Sequence, residues 1–420
     1  MAKSMKRFIW GIFVASLLIG SKLLVEATPF GHWAEEQTYS FLAGLLPNFA
    51  KDGAPVQVLD ISHLGGRIST DGKRLEPTDR KQLLELLNAV AQQQPLAIGV
   101  DSDFSPSDRW TGGWVTNADP AFFEDCQKLS KRLRVPIYLG VFRSIREQPK
   151  AWLGVPAFKD MAAGLWLPKP DARRLPLEFR TARSETAIAS GQTSEILPSL
   201  GAALARSVRI DDPAPLTISK TFLELDTTRK LKVDLDGSAL LVKDSMVDYS
   251  FIDQMEREVL IKVTPDEVRK NGDRLRGRVV LLGNATDEAG DKFPVPIGPE
   301  NRNGIFLHAV LASSLIAHPL YEFKHGTRLL LDAVISSLLV GAVVLLSKRT
   351  TDEDEEHAVE TRVLLAAVAI VLVSGIIFLI ASRIVWLDFL LVVFFLLVHP
   401  SAESRIKKVA DALFKKEAVK

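Results

Sequence analysis

The sequence lacks a second cysteine, so it cannot form an internal disulfide. Cys126 is the only cysteine among 420 residues. A domain exported to an oxidising compartment would therefore have to be stable through its hydrophobic core alone. A chain of this length can form two or three packed units, and a unit of about 300 residues buries most of its apolar surface without covalent cross-links.

The sequence also lacks an excess of charge of either sign. It contains 52 Lys and Arg residues against 51 Asp and Glu residues. Bulk charge therefore favours neither a nucleic acid nor an acidic protein as a partner. The Gly-X-Ser-X-Gly turn of serine hydrolases, a glycine-rich phosphate loop and the Cys/His spacing of zinc sites are all missing from the sequence. We expect no cofactor, no metal site of these types and no nucleic-acid partner.

Long apolar runs are concentrated at the two ends of the chain. They cover residues 8–25, 329–346, 363–381 and 384–398. A membrane-spanning helix needs about 20 apolar residues. The first three runs therefore predict spanning helices, whereas the fourth is short and needs its flanking residues. Ser382 and Arg383 are predicted to form a tight turn between the last two spans.

Basic residues flank the predicted spans and indicate their orientation. Three groups are found: Lys3, Lys6 and Arg7; Lys348, Arg349 and Arg362; and Arg405, Lys407, Lys408, Lys415, Lys416 and Lys420. Placing all three groups inside predicts an inner-membrane protein with cytoplasmic termini and residues 28–327 outside. An alternative is a cleaved secretory signal, because Val25-Glu26-Ala27 resembles a cleavage site.

The exported region begins with alternating strand and helix patterns. Strands are predicted over 56–61, 96–100 and 135–142, with helices over 78–93 and from Asp119-Pro120 onward. Strands joined by helices in this way form a parallel sheet with right-handed crossovers. The fold class is therefore predicted as α/β, with a largely parallel, mixed sheet and flanking helices, plus an α-helical membrane region.

The second half of the exported region is more varied. Residues 143–215 form an irregular stretch with one helix predicted around 199–209, and residues 217–242 predict a hairpin around Asp236-Gly237. A further buried strand over 278–283 and a helix over 305–316 precede the second membrane span. The chain after residue 401 predicts a basic amphipathic helix that binds the inner membrane surface, a second copy of the chain or another protein.

Acidic residues follow several of the predicted strands. Asp60, Asp101 and Asp103 come at strand ends on one edge of the sheet, and Asp291 lies in the loop after the last strand. Open parallel sheets bind ligands at this edge, and carboxylates there suit a ligand or a divalent cation. The alternative that we favour gives these acids turn-forming roles, with ion pairs to residues such as Arg109 or Lys292. Asp287 and Asp291 are likewise expected to shape their loop.

Three other features have alternative interpretations. Asp101-Ser102-Asp103 also suggests a phosphotransfer enzyme of the haloacid dehalogenase type, although the signature expects Thr or Val where Ser105 stands. His308 lies on an apolar helix and is expected to be a buried, hydrogen-bonded histidine rather than a ligand or pH switch. Asp332 and Asp388 are expected near the outer membrane boundary, with Trp386 in an aromatic belt.

Several stretches together resemble one family, the CHASE domain of type two, an extracytoplasmic sensory module of bacterial receptors. They are VQVLDIS, PLAIGVDSDFSP and EILPSLGAALARSV, followed by RGRVVLLGNATDEAGDKFPVPIG and NGIFLHAVLASSLI. The resemblance spans about residues 30–320, and one membrane span before and three after the domain are also typical of the family. It departs from the family in two respects: no effector module follows the last span before Lys420, and residues 110–117 and about 165–183 match no part of the family pattern.

The resemblance implies a bacterial membrane receptor rather than an enzyme. It would bind an unknown extracytoplasmic signal and transmit it through the membrane helices to a separate cytoplasmic or membrane protein, with a homodimer as one arrangement. Two alternatives stay open: a membrane-anchored exported phosphatase, and a scaffold subunit of a membrane complex that does not signal. The predicted organisation is a membrane helix over 1–27, a sensory domain over 28–327, three membrane helices over 328–400 and a cytoplasmic tail over 401–420.

Overall fold

A computed structural model describes most of the chain. The described residues are 2–46, 54–65, 77–105, 116–142, 156–167, 173–181, 196–208, 225–226, 228–235, 239–286, 291–297, 301–317, 319–347, 353–398 and 405–406. These residues belong to two compact units. The membrane unit contains residues 1–46, 214–226 and 321–420, and the sheet unit contains residues 47–213 and 227–320.

The described helices are numbered in chain order. They are α1 Ala2–Glu26, α2 Pro29–Leu45, α3 Arg80–Gln92, α4 Asp119–Leu133, α5 Pro156–Met161, α6 Leu200–Ser207, α7 Ile252–Glu258, α8 Pro265–Lys270, α9 Gly272–Leu275, α10 Gly304–Ala317, α11 His325–Ser347, α12 Glu353–Ser382 and α13 Phe389–Val398.

The described strands are numbered in the same way. They are β1 Val56–Asp60, β2 Ala97–Asp101, β3 Ile137–Val141, β4 Ala162–Gly164, β5 Arg174–Thr181, β6 Ile196–Pro198, β7 Leu225–Asp226, β8 Thr228–Leu235, β9 Ala239–Met246, β10 Val279–Gly283, β11 Lys292–Phe293, β12 Arg302–Asn303, β13 Tyr321–Phe323 and β14 Ile384–Val385.

A five-stranded parallel sheet forms the centre of the sheet unit. Its strand order is β1-β10-β2-β3-β4, and every adjacent pair is parallel. All five residues of β1 and of β10 are buried, as expected for a parallel sheet that is covered on both faces. The α/β fold with a parallel sheet, predicted from the alternating strand and helix patterns, is confirmed.

Helices α3 and α4 are joined by a buried ion pair. The Nε atom of Arg80 donates to Oδ1 of Asp119 over 2.7 Å, and the guanidinium group lies 4.4 Å from the ring centroid of Phe104. The same carboxylate accepts hydrogen bonds from Thr116. Cys126 is buried on α4, and burial raises the pKa of its thiol, so the lone cysteine acts as an apolar core residue.

A four-stranded antiparallel sheet, in the order β6-β5-β9-β8, adjoins the parallel one. The antiparallel pairing of β8 with β9 agrees with the predicted hairpin, whose turn at Asp236-Gly237 lies outside the described residues. Strand β5, in contrast, lies in the stretch that we expected to be irregular. Its alternating Leu175, Leu177 and Phe179 are all buried, so the period-two signal of a strand was present in the sequence.

Helix α10 closes the sheet unit. Every residue from Gly304 to Ser314 is buried, which explains why the helix is apolar on all sides although it is too short to span a membrane. The hydroxyl of Ser314 accepts a hydrogen bond from the backbone nitrogen of Asp248 over 3.0 Å. The helix predicted over 305–316 is therefore confirmed as a core element.

Among the described residues of the membrane unit, three helices are long and apolar enough to cross a bilayer. Their candidate spans are Phe8–Glu26, His325–Leu346 and Thr361–Ser382. The fourth predicted span, 384–398, is not helical throughout, because Ile384–Val385 forms strand β14 and α13 begins only at Phe389. Pairing of Ile384 with Tyr321 and of Val385 with Glu322 in β13 competes successfully with helix formation there.

The membrane unit also contains two elements that we assigned to the exported domain. Helix α2 begins after Thr28, whose side chain accepts from the nitrogen of Gly31, and has Pro29 in its first turn. Strand β7 pairs with β13 in a three-stranded sheet with β14. The predicted boundary at residue 28 therefore differs from the division of the structure, in which residues 1–46 belong to the membrane unit.

Candidate functional site

The carboxyl edge of the parallel sheet brings two of the predicted acids into register. Gly283 at the end of β10 is aligned with Asp60 of β1 on one side and with Asp101 of β2 on the other. Neighbouring strands are about 4.8 Å apart, so the two aspartates are separated by about 10 Å at the backbone. The sequence prediction that the strand-end acids share one edge agrees with this register.

Asp60 has its hydrogen-bonding capacity filled by the surrounding chain. Its Oδ1 accepts from the nitrogens of Ser62 at 3.2 Å and Ala285 at 3.1 Å, and its Oδ2 accepts from Ser62 Oγ at 2.9 Å and the nitrogen of Lys262 at 3.2 Å. The residue is 1% exposed. This carboxylate connects three loops at the sheet edge, in agreement with the turn-forming alternative.

Asp103 is also engaged by its own loop. Its Oδ1 accepts from the nitrogen of Ser105 at 2.9 Å, from Ser105 Oγ at 2.5 Å and from the nitrogen of Phe142 at 3.3 Å. A carboxylate that bonds the backbone two residues later forms an Asx turn. The turn fixes the chain after β2 against the end of β3, so Asp103 has a structural role beside the edge.

Asp101 and Asp291 form an acid pair with a different character. Burial, together with repulsion from the Asp291 carboxylate, raises the pKa of Asp101 to about 7. Asp291 is exposed to solvent, and partial desolvation by the surrounding loop raises the pKa of its carboxyl as well. Two neighbouring acids whose ionisation is suppressed would gain stability from a positive group placed between them. Of the four predicted site residues, the structure thus singles out Asp101 and Asp291.

The start of α10 holds Asp291 in place. The nitrogen of Gly304 donates to the backbone oxygen of Asp291 over 2.9 Å, and a Cβ atom on Gly304 would lie only 2.2 Å from Asp291 Oδ2. The side-chain nitrogen of Asn303 donates to the carbonyls of Ala285 and Thr286 at 2.9 and 3.1 Å. Gly304 therefore permits the close approach of the loop that carries Asp291. Asn303 connects the loop after β10 to the start of α10.

His308 lies one turn further along α10 and is 1% exposed. Burial lowers its pKa to about 4, although a hydrogen bond to the backbone of Leu165 opposes the shift. The imidazole is therefore neutral at physiological pH. This agrees with the predicted buried, hydrogen-bonded histidine, and the bond to Leu165 links α10 to the chain after β4.

A second group of charged residues lies in the membrane unit. The Nζ atom of Lys22 on α1 contacts Asp332 on α11 over 2.5 Å, contacts Asp388 directly before α13, and lies 3.2 Å from Glu26. Lys22, Asp332 and Asp388 are at most 3% exposed. We had considered the two aspartates separately, as interfacial residues. Lys22, which pairs with both aspartates, is a charged residue inside the apolar run 8–25. This unusual position was the sequence signal that could have indicated a buried ion pair.

Trp386 is buried rather than placed on an accessible rim of the membrane unit. It is 1% exposed and makes edge contacts with Phe323 and Phe378. Packing against these rings secures the turn between α12 and α13. The aromatic-belt expectation therefore does not describe the environment of this side chain within the protein.

Some residues named in the sequence predictions lie outside the described residues. They include Arg109, Asp236, Gly237, Asp287, Lys348, Arg349 and almost all of the amphipathic tail after residue 401. Within the described ranges, no three His, Cys, Asp or Glu side chains form a group that could hold a metal ion. The cation site and the phosphatase reaction thus stay predictions.

The family of the chain follows from a match that covers most of it. The family model described as CHASE2 domain matches residues 14–346. This chain belongs to the CHASE2 family. CHASE2 is an extracytoplasmic sensory domain family. The match begins within α1 and ends within α11, so the CHASE2 segment includes the sheet unit together with part of the first candidate membrane span and all of the second.

The CHASE2 match confirms the resemblance based on the strand-end and α10 motifs. It covers the acid pair, the Asn-Gly start of α10 and two of the buried charged residues of the membrane unit, Lys22 and Asp332. No curated protein and no solved structure matched the chain.

Proposed function

We propose that this CHASE2 protein is an integral membrane receptor of the bacterial inner membrane. It would bind an extracytoplasmic signal with its sheet unit and transmit the signal through its membrane helices to a separate protein. The observation that carries the proposal is the continuous CHASE2 segment, which runs through the sheet unit into candidate span His325–Leu346. A ligand shifts such a system only by its difference in affinity for two helix arrangements.

The proposed topology has four crossings and both termini in the cytoplasm. The basic residues beside the spans support this orientation. Helix α13 is 10 residues long as described, about 15 Å, so the fourth crossing would need the residues around it. Reporter fusions after residues 200 and 405 test the topology: activity of an exported reporter at 200 and of a cytoplasmic reporter at 405 is expected. A cytosolic residue 200 would contradict it.

The proposed ligand carries a positive group or is a divalent cation, and it binds at Asp101 and Asp291. Both carboxyls have raised pKa values, so a cation between them would remove their mutual repulsion. Asp60 and Asp103 would not bind it directly, since backbone and hydroxyl donors already occupy them. They would instead support the loops from which the acid pair projects.

Thermal unfolding of the purified full chain tests this ligand class. Calcium, magnesium and simple amines are added one at a time, and a binder is expected to raise Tm in the wild type. The same addition should leave Tm unchanged in Asp101→Asn/Asp291→Asn. Asp266→Asn, which changes a surface aspartate that pairs only with Arg269 among the described residues, serves as the control. An equal rise in all three proteins would contradict the assignment.

The output would be carried by a partner that contacts the cytoplasmic side of the membrane unit. The segment between α11 and α12 and the basic tail after residue 401 are the proposed contacts. Photocrosslinkers placed in either segment of the full chain in cells should recover one recurring protein. Recovery of lipid alone from both segments would count against a signalling partner.

A further inference from the structure

The lysine cluster of the membrane unit, defined as Lys22, Asp332 and Asp388, joins three separate helical segments. The Nζ atom of Lys22 contacts Oδ2 of both aspartates, so the two carboxylates are immediate neighbours. Asp388 is 0% exposed, Asp332 is 3% exposed and Lys22 is 3% exposed. Ionisable groups inside a membrane region are costly and commonly mark functional sites.

Negative charge exceeds positive charge around the cluster. Lys22 also pairs with Glu26, and Arg328 on α11 pairs with Glu35 on α2 over 3.4 Å. These two bases face four acids, namely Glu26, Glu35, Asp332 and Asp388. Full ionisation would leave a net charge of about −2 in a low-dielectric environment, which is strongly unfavourable.

The neighbouring elements α2 and β13, the start of α11 and the turn after α12 carry two further acids, Glu36 and Glu322, and two further bases, Lys324 and Arg383, besides His32 and His325, so they do not change this balance. Arg328 interacts electrostatically with Asp388 of the cluster and also with Glu322 on β13, Glu35 and Glu26. Arg383 follows α12, and its carbonyl accepts from the nitrogen of Tyr321. Between Val363 and Ser382 helix α12 has no charged residue, and neither has α13. The excess negative charge therefore concerns the two aspartates of the cluster most directly, because they share one ammonium group.

Each aspartate also has an oxygen without a partner. Within the described chain, Oδ1 of Asp332 and Oδ1 of Asp388 are buried and make no hydrogen bond. A cavity borders the cluster, and the space within it that the centre of a water molecule can occupy is about 30 Å³. The cavity is lined by Lys22, Asp332 and Ser336 and by apolar residues such as Leu18 and Phe395. One water needs about 10–15 Å³ of such room, so the cavity has space for a water molecule beside Asp332.

We propose that the lysine cluster is a proton-binding site in which Asp332 and Asp388 together hold one exchangeable proton. Two carboxylates at one site titrate as a pair, and one shared proton removes their mutual repulsion. The proton reduces the charge excess, and Lys22 stabilises the remaining carboxylate. The cavity beside Asp332 has room for a water molecule that accepts the proton when it leaves the pair.

The proton would control how the helices pack. When it is bound, Lys22 needs to neutralise only one carboxylate of the pair. When it leaves, both carboxylates compete for the same ammonium group, and the contacts of α1 with α11 and α13 are strained or rearranged. The proposal does not depend on the receptor function, since the site would bind a proton whether or not the sheet unit binds a ligand.

Infrared spectroscopy of the full chain in lipid nanodiscs tests the proposal. The carbonyl stretch of a protonated carboxyl is recorded as pH is lowered, and ¹³C-labelled aspartate identifies the bands that come from aspartate. An aspartyl band that is absent from both Asp332→Asn and Asp388→Asn, but present in Asp266→Asn, is expected. A band from Asp101 is expected too, and Asp101→Asn identifies it. If the wild type lacks the Asp101 band but shows the cluster band, that result contradicts the proposed ligand site and supports the proton-binding site.

Lys22→Met provides a second test in case an aspartate variant does not fold. Without the ammonium group, the ionised carboxylates lose their stabilising charge, so the cluster band should persist to a pH at least one unit higher than in the wild type. Lys22→Arg keeps the positive charge, so its cluster band should titrate as in the wild type. The proposal is overturned by an unchanged titration in Lys22→Met, or by a wild-type spectrum whose aspartyl bands all survive in both Asp332→Asn and Asp388→Asn.

Discussion

The ammonium group of Lys22 contacts the carboxylate of Asp388, although 366 residues separate them in the chain. The same nitrogen contacts Asp332 on α11. The first apolar segment is therefore tied by charge to the segments that follow the sheet unit in sequence. This relationship gives α1 a structural role beyond that of a targeting signal.

Lys22→Met is expected to destabilise the full chain by about 3 kcal/mol, because it leaves two buried carboxylates without their cation. Thermal unfolding in detergent at neutral pH measures the effect. Lys128 on α4 provides the control Lys128→Met, because its exposed ammonium group pairs only with exposed acids, Glu124 and Asp125, among the described residues. Equal stability of the two variants would show that the lysine cluster contributes nothing to the packing of the membrane unit.

The apolar segment at the N-terminus is expected to remain in the mature protein. Cleavage after Ala27 would remove Lys22 and leave Asp332 and Asp388 unpaired. Intact-mass measurement of the protein purified from membranes checks this, with an expected mass that includes residues 1–27. A mature chain beginning near Thr28 would support the alternative of a secretory signal.

The strands of the parallel sheet could be predicted because their signal is local. Each is a short run of apolar residues bounded by polar ones, and the helices between them imply parallel pairing. The position of Asp60 and Asp101 at one edge follows from this topology. Their different roles do not, because the donors to Asp60 come from Lys262 and Ala285, more than 200 residues away.

In the membrane unit, too, contacts between residues distant in the sequence could not be predicted. Composition identified the three long spans, but the partner of Lys22 depends on how α1, α11 and the start of α13 pack. Strand β14 was missed for a related reason. Ile384 and Val385 suit a strand as well as an apolar helix, and pairing with Tyr321 and Glu322 decides between them.

Asp60→Ala is expected to destabilise the sheet unit by at least about 3 kcal/mol, since hydrogen bonds to a charged group contribute about 1.5–3 kcal/mol each and three backbone donors would lose their acceptor. Chemical unfolding followed by tryptophan fluorescence measures the loss. Asp79→Asn is the control, because the exposed Asp79 caps α3 and accepts one further bond from the Gln82 side chain, and Asn caps a helix equally well. A loss below about 1 kcal/mol for Asp60→Ala would contradict the role of Asp60 as a connector of loops.

Asp101 should make the folded chain less stable as pH rises. Its pKa is about 7 in the folded state and about 3.8 when the carboxyl is free, so the folded state binds the proton more tightly. Between these two values the folded protein holds more protons than the unfolded chain, and the free energy of unfolding falls with increasing pH. The penalty is small below about pH 4 and complete above about pH 7.

Asp101→Asn removes this proton and should flatten the dependence of stability on pH. Between about pH 5 and pH 8 the free energy of unfolding of the wild type is expected to fall by at least about 1 kcal/mol more than that of the variant. A fall of this size corresponds to a pKa difference of about one unit between the folded and unfolded states. Unfolding of both proteins across this range measures the difference. His308 does not mask it, because its pKa of about 4 makes the folded state lose stability as pH falls below 6.5, which is the opposite direction. Parallel curves for wild type and Asp101→Asn would show that Asp101 is ionised normally and that the acid pair has no suppressed charge for a cationic ligand to relieve.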